Sequence, residues 1–144
     1  MKLIKVLVAA GLLFAAGVAV AGKGGPSASG LWMGDGYAIY PDGTIAEITL
    51  VQALLTQDGN FIFGGALFNV AIDGNDLDPQ EGQMSAHISG NSIKGVLGGC
   101  LAEAPNCLGV AVFEGKLSGD RLSGTVLDMS DGSTSVITLY RAPN

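Results

Sequence analysis

Between Leu31 and Arg141 the chain is a series of short apolar runs, each rich in Val, Ile, Phe, Thr or Tyr. Six clusters that tolerate tight turns separate most of them: Pro41-Asp42-Gly43, Asp58-Gly59-Asn60, Asp73-Gly74-Asn75, Gly90-Asn91, Gly119-Asp120 and Asp131-Gly132. Such residues accept the positive φ that a hairpin needs. The runs are Leu31–Tyr40, Thr44–Leu55, Asn60–Ile72, Gln83–Ser89, Ser92–Gly98, Leu108–Ser118, Leu122–Met129 and Ser133–Arg141. Most are too short for helices, and their composition favours extension. Ile45, Ile48, Val51 and Leu55 also fit one helical face, but Thr49, Val51 and the flanking turns argue for a strand. The pattern predicts an all-β fold: an eight-stranded antiparallel up-and-down barrel, with a β-sandwich as the alternative.

An internal echo supports the meander. Ile88-Ser89-Gly90-Asn91-Ser92-Ile93-Lys94-Gly95 matches Leu117-Ser118-Gly119-Asp120-Arg121-Leu122-Ser123-Gly124, with a fainter third copy at 58–64. Two good copies are too few for a solenoid and read as similar hairpins in one sheet. The chain has 23 glycines in 144 residues, more than twice the usual ~7%. Several, including Gly64-Gly65, Gly98-Gly99, Gly115 and Gly124, fall inside runs and predict sharply bent strands. Bending on that scale favours a closed barrel, and an even strand number allows closure without free edges.

Residues 1–21 read as a cleaved signal: Lys2 and Lys5, an apolar stretch from Val6 to Val18, then Ala19-Val20-Ala21 before Gly22. Residues 22–29 read as a flexible Gly/Ser-rich lead, and 30–144 as a single barrel domain. The expected address is periplasmic or extracellular. Net charge is −6 and becomes more negative when Lys2 and Lys5 leave. That sign disfavours nucleic acid and anionic membrane surfaces, both of which need a cationic patch. Cys100 and Cys107 are the chain's two cysteines. In an oxidising compartment they predict one disulfide stapling a short loop.

Gly30-Leu31-Trp32 opens the first run and Arg141 ends the last. This layout resembles the lipocalins and related calycins, in which a Gly-x-Trp strand starts eight meandering strands and a late basic residue packs over the Trp. The avidin branch begins with the same Gly-x-Trp, but its polar biotin ring has no match here. Small barrel inhibitors of bacterial metalloproteases are similar in size and early Trp, without a recognisable inhibitory segment in this chain. The calycin resemblance implies a structural Trp32–Arg141 pair and a lumen for at most one small ligand.

Candidate chemistry is sparse. His87 is the sole histidine, and no nucleophile motif surrounds the serines. Glu47 and Glu114 are the acids well inside runs, with Glu114 alternating with Lys116 as on a solvated face. Asp73, Asn75, Asp76, Asp78 and Glu81 crowd one connection with the oxygen ligands calcium takes, though Leu77 and Asp78 break the EF-hand pattern. The expectation is therefore a non-enzymatic exported protein without a cofactor, carrying a small apolar ligand. Its lining would come from Trp32, Tyr37, Phe61, Phe63, Phe113 and Tyr140. The alternative is a protein-interaction module, an inhibitor or an oligomeric surface component. It would use an exposed strand face or the Asp73–Gly82 loop, because Asn60–Ile72 is apolar on both sides.

Overall fold

The computed structural model describes residues 27–98 and 110–143. Among these, nine strands form: β1 (Gly30–Ile39), β2 (Ile45–Asp58), β3 (Phe61–Ile72), β4 (Asn75–Asp76), β5 (Gln80–Ser89), β6 (Ser92–Gly98), β7 (Ala111–Ser118), β8 (Arg121–Asp128) and β9 (Thr134–Arg141). Eight of them close an antiparallel up-and-down barrel. The order β2-β1-β9-β8-β7-β6-β5-β3 is completed by direct β2–β3 pairing. β4 is a two-residue ribbon folded back on the end of β3, where Ile72 faces Asn75. The eight apolar runs are the eight barrel strands, so the fold class read from the pattern is the fold observed.

The long second run is a strand, and its helix-like spacing has a structural cause. Its register slips by one residue against both neighbours, between Ile48 and Leu50 on the β3 side and opposite Gly34 to Gly36 on the β1 side. One extra residue in β2 is a β-bulge, which bends the strand and shifts its inward phase. Inward positions therefore run Ala46, Ile48, then Val51, Ala53 and Leu55, all buried. The three-residue step from Ile48 to Val51 is what mimics a helical face.

The sequence echo is a structural unit with three copies. Gly59, Gly90 and Gly119 each start a two-residue hairpin loop, with φ of 58°, 61° and 59°, closing Asp58↔Phe61, Ser89↔Ser92 and Ser118↔Arg121. Positive φ at the first loop residue only is the type II′ pattern that matches strand twist. Two residues beyond each loop stands a buried Ile62, Ile93 or Leu122. Two further on comes Gly64, Gly95 or Gly124, also facing inward. At these three glycines a Cβ would overlap a carbonyl oxygen of the neighbouring strand, that of Leu54, Ser85 or Glu114. The unit thus encodes both a turn and the bend that follows it. The Phe113 ring lies across the paired Gly115 and Gly124, filling the space their missing side chains leave.

One expectation is corrected. The described residues contain no disulfide and neither cysteine, so the predicted Cys100–Cys107 staple is not carried forward. The closure above is made by strand pairing without them. The signal reading of residues 1–21 also lies outside the described residues.

The inward glycines set a measurable limit. Gly64→Ala or Gly95→Ala should destabilise the fold by about 1–3 kcal/mol, as overpacking against fixed backbone does. Urea unfolding checks this; an unchanged midpoint would mean that the barrel relaxes around the added methyl.

Candidate functional site

Three regions could carry function: the floor, the interior and the outer wall. The floor gathers the ends of β1, β2 and β9 with the β7–β8 hairpin. The Arg141 guanidinium sits 4.4 Å from the Trp32 ring centroid, and its Nε donates to Asp120 Oδ1 at 2.8 Å. Its Nη2 donates to the Ser27 carbonyl at 2.6 Å, and its Nη1 to that of Ser29. Trp32 Nε1 donates to the Ala28 carbonyl at 2.8 Å, while Ala28 N donates to Gln57 Oε1 at 2.7 Å. Every polar tip of this cluster thus has a partner, as a buried tryptophan requires. Trp32 and Ala28 are fully buried. The pair implied by the calycin resemblance is present, and it acts as a plug.

The interior is filled. Inward side chains from all eight barrel strands form one contiguous buried cluster that includes Trp32, Ile48, Ile62, Ile93, Leu117 and Leu122. The inward glycines bring neighbouring strands close together. The expected lining set divides accordingly. Trp32 and Phe113 point inward and are buried, whereas Tyr37, Phe61, Phe63 and Tyr140 are exposed. Strand parity is the reason: Phe61 and Phe63 flank the inward Ile62, and Tyr140 follows the inward Leu139.

The outer wall carries what the interior does not. Register places Phe63, Ser85, Val96, Val112 and Leu127 in one row across β3, β5, β6, β7 and β8. The four apolar members, with Phe61 one step along, are between 38% and 66% exposed. The adjoining row runs Phe61, His87, Lys94, Glu114 and Thr125. His87 packs edge-on to Phe61, with centroids 5.8 Å apart and planes at 80°. Lys94 Nζ lies 3.4 Å from Glu114 Oε1, both largely solvated, so the pair contributes little to stability. Glu114 therefore pairs across strands with Lys94. Phe61, Phe63, Ser85, His87 and Lys94 border an open depression of about 420 Å³.

The remaining sequence candidates are dispersed. Glu47 and Glu114 lie four strands apart round the wall, about 19 Å at the usual strand spacing. Asp73 and Gly74 form a tight turn with positive φ at both residues, and Asn75 and Asp76 belong to β4. No cluster of three or more His, Cys, Asp or Glu able to hold a metal occurs among the described residues. No helix among them is long and apolar enough to cross a membrane. Comparison with protein-family models, with characterised proteins and with solved structures found no match to this chain. The chain shares the eight-stranded antiparallel barrel of calycin-type proteins, without a family-level match.

Charge is unevenly distributed. Asp42, Asp73, Asp76, Asp78, Asp128 and Asp131 all belong to the rim opposite the floor, while Lys94, Lys116, Arg121 and Arg141 lie on the floor half of the strands. At the rim, burial raises the Tyr40 pKa, with Asp131 and Asp128 adding to the shift. A backbone hydrogen bond from Thr44 lowers that of Asp42. The row of exposed apolar residues was half visible in the sequence, as the two-sided run Asn60–Ile72. Its extension through Val96, Val112 and Leu127 needed the register.

Two outcomes follow from these ends. Arg141→Ala should lose about 2 kcal/mol, combining cation–π and charge-assisted hydrogen bonds, and should shift emission of the single tryptophan to the red. Unchanged emission would show that Arg141 does not cover Trp32. Because the folded state raises the Tyr40 pKa, its contribution is intact below about pH 10 and drains as pH rises through the folded value. Tyr40→Phe should therefore flatten the alkaline fall in stability followed by thermal unfolding; an unchanged slope would exclude Tyr40 as a source.

Proposed function

We propose that this protein is an exported, non-enzymatic interaction module whose working surface is the outer wall of the barrel across β3, β5, β6, β7 and β8. One observation carries the reading: a filled interior stands inside a wall on which large apolar side chains line up in register. Burial of apolar surface drives most association, and a contiguous exposed row is a mark of a contact surface in a way that scattered single residues are not. The carrier reading has less support, because four of its six lining residues stand outside the barrel. Membrane insertion is disfavoured by the same polarity. A transmembrane barrel is apolar outside and polar inside, whereas this wall bears Asp35, Glu47, Lys94, Glu114, Lys116 and Arg121 around an apolar interior. Export rests on the signal pattern at residues 1–21.

Native mass spectrometry of the protein purified from its own host separates the two readings. The interaction module should show no small-molecule mass excess that is lost on unfolding. A reproducible excess of that kind would restore the carrier and overturn this reading.

A further inference from the structure

We infer that the occupant of this wall is a second copy of the same chain, joined face to face across β6 and β7 in a twofold dimer. The inference rests on the outer-wall reading and names its partner. Among the described residues only the two-residue β4 has a free strand edge, too short to extend the sheet, so self-association falls to a wall or an end. The rim bears Asp42, Asp73, Asp76, Asp78, Asp128 and Asp131, and two rims would repel. The wall of β6, β7 and β8 instead bears Lys94, Lys116 and Arg121 beside Glu114.

Register makes that wall complementary to itself. Consider a twofold axis parallel to the strands, just outside the wall and midway between β6 and β7. Each residue of β6 then meets its own cross-strand neighbour, contributed by the other copy. The pairs are Val96↔Val112, Lys94↔Glu114 and Ser92↔Lys116. One strand further out, Ser85 meets Leu127 and His87 meets Thr125. Each contact occurs twice, as an isologous interface requires. Apolar meets apolar at the centre, opposite charges meet beside it, and none of these five pairs sets like charges together. Lys94 and Glu114, already 3.4 Å apart within one copy, would form an alternating four-charge ring.

Charge exchange tests this in trans. Wild-type protein should sediment as a dimer at about 0.1 mM, well above a micromolar Kd. Lys94→Glu sets Glu against Glu across the axis, and Glu114→Lys sets Lys against Lys. Each should weaken self-association by about tenfold or more. An equimolar mixture of the two variants should form a heterodimer, since each then supplies the charge the other lacks. Both side chains are exposed, so circular dichroism should show unaltered folding. Val112→Asp should abolish the dimer independently of the charge pair.

A wild-type dimer that survives both charge variants, or a mixture that stays monomeric, overturns the twofold arrangement and leaves the outer-wall reading in place. A ligand-free wild-type monomer overturns self-association and leaves the wall to another partner. A monomer carrying a small apolar ligand overturns both.

Discussion

The close approach of neighbouring backbones at inward glycines is the constraint on which the rest of the structure depends. At Gly34 and Gly36 in β1, Gly64 in β3, Gly95 in β6 and Gly124 in β8, a single methyl group would strike the adjacent strand. These positions let eight strands bend hard enough to close while their inward Ile, Leu and Val side chains meet across the axis. Protein interiors are closely packed, and here the inward side chains form one contiguous buried cluster. A filled interior follows from the bends. So does an outer wall with more apolar residues than the core can use, because strands with alternating faces place every second residue outside.

The floor shows how one long side chain completes what the strands leave open. Closure by pairing satisfies the backbone along the walls but leaves the barrel end open. Arg141 spans that end, stacked on Trp32 and tied to the carbonyls of Ser27 and Ser29 and to Asp120. The guanidinium suits this task because it is planar, always charged and presents several donors in fixed directions. The plug also draws residues 27–29 onto the barrel end, with Ala28 fully buried. The segment read from composition as a flexible lead is, over these three residues, part of the fold.

The architecture was largely legible because it is written locally. Turn glycines, strand composition and run length specify hairpins, and a meander of hairpins with an even strand count has few alternatives. The hairpin echo was legible as a repeat, though its meaning as turn plus bend became clear only when Gly64, Gly95 and Gly124 were seen against neighbouring carbonyls. What could not be read is which face of each strand points inward. One bulged residue in β2 reverses the parity on either side of it, and a one-residue error moves a whole row of side chains. That is why Phe61 and Phe63 were grouped with Trp32 and Phe113. The disulfide was inferred from compartment and cysteine count, neither of which contains geometry, and it is not carried forward.

On the proposed reading the wall, and not the interior, is where this protein meets its partner. Methyl-resolved NMR of the isotopically labelled protein, titrated with unlabelled protein, examines both surfaces in one experiment. The Val96, Val112 and Leu127 methyl signals should move with protein concentration while those of Ile62, Ile93, Leu117 and Leu122 stay fixed. Wall signals that never move, with interior signals that shift when an apolar ligand is added, would contradict that reading.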